Sequence, residues 1–226
     1  MELFRLNQNL NENRKMNNRQ ILLYRGKETD RVEEAIITIQ DWCRDHNASL
    51  KEVSTRSDVQ KIAEEGTEAT VLLSLGGDGT FLKAADLIAP YRMPILGINL
   101  GKLGFLTGLD SSELAQNLTK VLKGGSSVKK LSRLCCDLKS LESDKNSIYT
   151  ALNEVTITRG TEAGLAEVEL FLDSKKVATY PGDGLIVSTP TGSTAYSLSC
   201  GGPLITRNTS AFSVTPLNVH KLGLRP

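Results

Sequence analysis

Up to about position 123, short apolar runs alternate with stretches in which apolar residues recur every three or four positions, the marks of strands and amphipathic helices. The pattern predicts a strand over 21–24, a helix over 30–46 with Asp30 as its N-cap, a strand over 50–53 and a helix over 58–65. A strand over Ala69–Leu75, a helix over 81–88, a strand over 94–100 and a helix over 112–123, capped by Ser111 or Ser112, follow. In the first helix Val32, Ala35, Ile36, Ile39 and Cys43 share one face, which reads as core packing. Alternation of this kind argues for a mostly parallel sheet covered by helices, with ligands at the carboxyl ends of the strands. Two glycine-rich turns, one around Asp78 and one at Gly101-Lys102-Leu103-Gly104-Phe105, fall at that edge and could flank one crevice.

The character changes after Gly124-Gly125-Ser126-Ser127, a predicted break. Beyond it come strand-like runs over 131–141, 148–158, Ala166–Leu172, 177–180 and 185–188, separated by polar turns such as 142–146 and 173–176, with almost no helical periodicity. A second domain of antiparallel strands is the natural reading. Residues 1–18, rich in asparagine and charge, read as a disordered arm, with Met16 as an alternative start. The expected organisation is therefore an arm (1–18), an α/β domain (19–125) and a β-rich domain (126–226).

Composition narrows the function by exclusion. The 27 Lys and Arg nearly balance the 26 Asp and Glu, so no overall field favours nucleic acid or an anionic membrane. Apolar runs fall far short of the ~20 residues a membrane-spanning helix needs, and the N-terminus lacks a signal-peptide core, so a cytoplasmic location is expected. The cysteines, Cys43, Cys135, Cys136 and Cys200, and the histidines, His46 and His220, show no metal-ligand spacing and no hydrolase triad. No metal held by protein side chains is expected.

Three segments carry candidate chemistry. Gly76-Gly77-Asp78-Gly79-Thr80 lies where an apolar strand gives way to a helical pattern. Such a turn suits a phosphate at a helix N-terminus, with a carboxylate projecting beside it; taken alone it is equally a tight capped corner. Asn153-Glu154 is a conspicuous amide and carboxylate pair inside the apolar run 148–158, pointing to opposite faces if that run is one strand; an exposed edge strand would explain it as well. The segment from Asp183-Gly184 through Thr191-Gly192-Ser193-Thr194-Ala195-Tyr196 to Ser199 packs hydroxyls and glycines around a short apolar strand. Its hydroxyls could bond a ribose, an amide or a phosphate, and Tyr196 could stack on a base; the alternative is a Ser/Thr-rich surface loop.

Together these motifs resemble the NAD kinase family, whose members phosphorylate the 2′-hydroxyl of the adenosine ribose of NAD to give NADP. Leu75 to Leu82 resembles the family's GGDGT turn, Leu152-Asn153-Glu154 its Asn-Glu motif, and Asp183 to Tyr196 its long glycine and hydroxyl segment. The resemblance covers about Gln20 to the last residue. It implies a Rossmann-like α/β domain followed by an all-β domain, the fold shared with diacylglycerol kinases, with the last strands of the β-domain missing because the chain stops at Pro226. It also implies Asp78 as general base and Gly76, Gly77, Gly79 and Thr80 as the phosphate-facing turn. Asn153 and Glu154 would contact the NAD ribose and its phosphate region, and Asp183 would hold the nicotinamide part. Thr191, Thr194, Ala195, Tyr196 and Ser199 would line the dinucleotide site. ATP or polyphosphate would be the donor, Mg²⁺ or another divalent metal would travel with it, and a homodimer or homotetramer would complete the site when the chain is full length. Pro181 stands where the family often carries an arginine. An NAD-binding protein impaired in catalysis and a GGDG-type lipid or sugar kinase are the alternatives.

Overall fold

Strand β1 (Arg19–Arg25) runs parallel to β2 (Ala48–Glu52) on one side and to β3 (Ala69–Leu75) on the other. Beyond β3, β4 (Ile95–Asn99) and the two-residue β5 (Leu109–Asp110) extend the parallel sheet to the order β2-β1-β3-β4-β5. The computed structural model describes residues 19–65, 69–91, 93–101, 104–110, 114–122, 126–140, 146–160 and 164–220. The predicted arm, the caps at Ser111 and Ser112, Lys102 and the Gly124-Gly125 break lie outside them. The chain divides into two compact units, Met1–Val128 and Lys129–Pro226.

In the first unit both faces of the sheet are covered, which is why β1 and β3 read as continuous apolar runs. Ile21, Leu23, Val71, Leu73, Leu75 and Ile98 pack with α1 (Asp30–Asp45) and α4 (Leu114–Leu122). Leu22, Val53 and Leu72 pack on the other face with α2 (Arg56–Glu64) and α3 (Asp78–Leu87). Each fully buried Leu or Ile contributes roughly 1.5–3 kcal/mol, so this two-sided core holds the sheet edge that carries the glycine turns. The Trp42 indole N–H donates to Thr119 Oγ1 at 2.8 Å and ties α1 to α4.

Two helix starts differ from expectation by a residue or two. Thr29, not Asp30, caps α1: its extended backbone lets Oγ1 accept from Val32 N–H, and Asp30 becomes the first helical residue, where its charge meets the positive end of the dipole. Helix α2 begins at Arg56 because Thr55 and Asp58 form a reciprocal capping box.

The second unit is antiparallel throughout its described strands. β6 (Leu134–Lys139) pairs with β7 (Asn146–Ala151), and β9 (Ala166–Leu172) pairs with β10 (Lys175–Gly182). β8 (Glu154–Thr158), β11 (Gly184–Ser188) and β12 (Ser213–Leu217) form a sheet in the order β12-β11-β8. The predicted single strand over 148–158 is thus two strands in different sheets, bent apart at Leu152-Asn153. A 3-10 turn (Gly192–Thr194) and a one-turn helix α5 (Tyr196–Ser199) follow β11 in a stretch without helical periodicity. Strand β12 was hidden in the sequence by Pro216, which an edge strand tolerates. The interior mixes hydrocarbon with hydroxyl: Leu185 and Ile186 are buried, and so are Ser188, Thr189, Ser193, Ser197 and Thr215. Among the described residues no helix is long and apolar enough to cross a membrane.

Candidate active site

In the sheet order β2-β1-β3-β4-β5 the winding direction reverses between β1 and β3, and the crevice at such a switch point is where open α/β sheets bind ligands. The glycine turn stands there. Gly76, at φ +145°, adopts backbone open to glycine, and a Cβ on it would lie 2.5 Å from Thr80 Oγ1. Its N–H donates to Ile98 O at 3.0 Å, while Gly26, just past β1, donates to Leu75 O at 3.0 Å. Thr80 is therefore a wedge under the turn, filling the gap between the ends of β1 and β3. At the exposed Gly77 and Gly79 a Cβ would meet nothing within 4 Å, so the chain's own packing leaves a cradle over the first turn of α3. No side chain caps that helix, whose N-cap is Gly77, and its dipole presents positive charge to the cradle.

Asp78 is the first residue of α3 rather than part of a loop before it. Its Oδ2 accepts from Phe105 N–H at 2.8 Å and its Oδ1 from Leu106 N–H at 3.0 Å. The two glycine-rich turns thus converge on this carboxylate. A Cβ on Gly104 would overlap Asp78 Oδ1, so the close approach of the second turn depends on glycine there.

In the second unit two segments far apart in sequence are stitched together. Thr189 Oγ1 donates to Leu152 O at 2.6 Å and Thr189 N–H donates to Asn153 O at 2.8 Å. Gly192 lies so close that a Cβ would overlap Asn153 O. The bend at Leu152-Asn153 buries the polar ends of its side chains: Asn153 Oδ1 and Glu154 Oε2 are inaccessible and have no hydrogen-bond partner. Burial pushes the Glu154 carboxyl above its ordinary range. Orphaned acceptors on two adjacent residues are groups that a ligand hydroxyl or amide would satisfy.

Asp183 follows β10, and its carboxylate is held on both oxygens. Arg159 Nε lies 3.0 Å from Oδ1, and Asn218 Nδ2 donates to Oδ2 at 2.8 Å. Around it is a cavity of about 600 Å³ lined by Arg159, Asp183, Tyr196, Ser199, Cys200 and Asn218, among others. Tyr196 is half-exposed, and its contact with the Cys200 thiol raises its phenol pKa. Thr191, Thr194 and Ala195 build the turn that carries Tyr196 and do not line this cavity. Thr194 Oγ1 donates to Thr191 O at 3.2 Å, and Ala195 is the N-cap of α5. Most other hydroxyls of this segment face inward: Ser193 Oγ donates to Pro190 O at 2.7 Å and Ser197 Oγ meets Thr215 Oγ1 at 2.9 Å. Pro181 lies in β10, and its carbonyl accepts from His220 N–H.

Sequence reasoning missed Thr189, Arg159, Asn218 and the backbone of Phe105 and Leu106. Thr189 was one hydroxyl among many, Arg159 and Asn218 carry no motif, and a backbone N–H has no signature in side-chain pattern.

A five-stranded parallel sheet with a glycine-aspartate turn at its switch point, followed by an antiparallel hydroxyl-rich unit, is the two-domain class of the solved NAD(H) kinases. The chain matches the structure of yeast NADH kinase complexed with NADH at a TM-score of 0.80 and 24% identity, covering 93% of this chain and 69% of that one. It matches an NAD kinase from Archaeoglobus fulgidus in complex with ATP at a TM-score of 0.68 and 24% identity, covering 92% and 75%. Residues 8–126 match the ATP-NAD kinase N-terminal domain and residues 152–226 the ATP-NAD kinase C-terminal domain. The chain belongs to the NAD kinase family. It is 42% identical to the NAD kinase of Moorella thermoacetica over 88% of its length and 65% of the relative's. With that of Caldanaerobacter subterraneus subsp. tengcongensis the identity is 39%, over 87% and 71%. The chain thus spans about two thirds of the length of these relatives.

Proposed function

We propose that this protein is an NAD kinase that transfers the terminal phosphoryl group of ATP to the 2′-hydroxyl of the adenosine ribose of NAD. The observation that carries the reading is the Asp78 carboxylate, fixed by two backbone N–H groups at the mouth of an uncapped helix N-terminus. A carboxylate has about four lone-pair sites, so after accepting from Phe105 and Leu106 it can still accept from a substrate hydroxyl. As that oxygen attacks the donor's terminal phosphorus and the bond to the bridging oxygen breaks, releasing ADP, Asp78 takes the hydroxyl proton, while the first-turn N–H groups of α3 and the dipole stabilise the phosphate charge. Phosphoryl transfer depends chiefly on such positioning and charge neutralisation. A divalent cation on the donor's phosphates would neutralise further charge, and the open cradle at Gly77 and Gly79 leaves room for phosphates carrying it.

In the second unit, Asn153 and Glu154 would accept from the ribose, which supplies the donors their buried oxygens lack. Asp183, oriented by Arg159 and Asn218, would accept from the carboxamide of the nicotinamide, with Tyr196 and Ser199 lining the same cavity. We also assign a homo-oligomer, supported by the exposed apolar residues Ile148, Tyr149, Phe171 and Leu172 of the second unit. Incubating the purified chain with NAD, ATP and Mg²⁺ and following NADP tests the activity. A folded chain that binds NAD without forming NADP would make it a dinucleotide-binding protein instead.

A further inference from the structure

Thr107 lies just before β5 and is 5% exposed, yet its Oγ1 is buried without a hydrogen-bond partner. Its methyl has a clear packing role. A Cβ on Gly97, in the neighbouring strand β4, would lie 3.1 Å from Thr107 Cγ2 and 3.0 Å from Thr107 Cα, so the methyl fills the space that Gly97 leaves on the sheet. The hydroxyl lies toward Gly104 and the Asp78 carboxylate. A Cβ on Gly104 would come within 2.9 Å of Thr107 Oγ1 and would overlap Asp78 Oδ1. The orphaned hydroxyl and the carboxylate thus both approach the place where a side chain on residue 104 would stand.

A buried hydroxyl without a partner is a standing cost, and a valine would fill the same volume without it. The expense is explained if the hydroxyl gains its partner only when substrate binds. We propose that Thr107 is a positioning residue whose hydroxyl becomes the third protein donor to the Asp78 carboxylate when a substrate hydroxyl is bound. With Phe105 N–H and Leu106 N–H already on the two oxygens, a third donor beside Oδ1 leaves one lone-pair direction for the incoming hydroxyl and sets the carboxylate's rotation. The inference rests on the assignment of Asp78 as the base of the NAD kinase reaction.

Two substitutions separate this role from packing. Thr107→Val keeps the methyl against Gly97 and removes the hydroxyl. It should leave the melting temperature at or above that of the wild type and the KM for NAD within about twofold, while kcat falls by about tenfold, the effect of losing one hydrogen bond to a charged group. Thr107→Ser keeps the hydroxyl and removes the methyl, so it should lower the melting temperature while holding kcat within about threefold of the wild type. A residue that only packs would give the same melting temperatures but keep the wild-type kcat in Thr107→Val. Wild-type kcat in Thr107→Val overturns the inference while leaving the kinase reading intact. A wild-type protein that makes no NADP overturns that reading, and the inference with it.

Discussion

The hydroxyl of Thr189 donates to the carbonyl of Leu152 across 2.6 Å, inside the second unit, where Thr189 is fully buried. This bond joins the strand end after β11 to the bend that carries Asn153 and Glu154, and Thr189 Oγ1 also accepts from Gly192 N–H at 3.1 Å. One side chain therefore sets the geometry of two motifs that lie 37 residues apart. Thr189→Val leaves a buried carbonyl and a buried N–H without their partner. It should cost about 1–3 kcal/mol, read as a lower urea midpoint for the second unit, and should weaken NAD binding in calorimetry.

The glycines of the two sites are glycine for different reasons, and alanine separates them. At Gly79, where a Cβ meets nothing within 4 Å and the residue lies in the first turn of α3, alanine should stabilise the first unit by roughly 0.4–1 kcal/mol through the unfolded chain. It should at the same time raise the KM for ATP, because the methyl occupies the phosphate cradle. At Gly192 a Cβ would overlap the Asn153 carbonyl and lie 2.7 Å from Asn153 Cα. Gly192→Ala should therefore destabilise the second unit by several kcal/mol, as overpacking against backbone does. Thermal scans and ATP titrations of the two variants check the contrast.

Replacing Asp78 by asparagine keeps the size of the side chain and removes the base. Turnover should fall by at least 10²-fold, the lower range for a general base, with NAD affinity held within a few-fold. The amide nitrogen that Asp78→Asn introduces cannot accept from Phe105 or Leu106, so one N–H loses its partner. Stability should drop by about 1 kcal/mol, and a kcat near the wild-type value would remove Asp78 from the chemistry.

Glu154 makes stability depend on pH. Burial without a donor raises its folded pKa above the ordinary 4.5, so the folded chain holds its proton more tightly than the unfolded chain. The favourable contribution is complete below the ordinary value and is lost as pH climbs through the raised one. Above that range Glu154 is a charged group that destabilises the fold. Glu154→Gln should therefore raise the urea midpoint at neutral pH, and the gain should vanish at pH 4. A gain of equal size at both values would assign the effect to something other than ionisation.

The pieces legible in the sequence were those governed by local pattern. Leu22, Leu23, Leu72 and Leu73 announced strands buried on both faces, and Gly76-Gly77-Asp78 marked the corner after β3, whereas the capping box of Thr55 with Asp58 emerged only in the structure. The bend at Leu152-Asn153 was invisible because both flanks are strand-like, and only their membership of different sheets breaks them. The hydroxyl segment misled for a related reason: a run of Ser and Thr does not say which hydroxyls find a carbonyl or another hydroxyl inside, and here Ser193 and Ser197 do.

By itself, then, the order of residues determined the parallel α/β half, the antiparallel half, and three motifs with the composition of a phosphoryl-transfer protein, since periodicity and turn chemistry act over a few neighbouring positions. Only the tertiary structure decided that the Gly104 turn would grip Asp78, that Thr189 would tie Asn153 to Gly192, and that Arg159 and Asn218 would hold Asp183. Those contacts join backbone amides and single polar side chains across tens of residues, and their geometry exists only once the surrounding core has fixed where each segment lies.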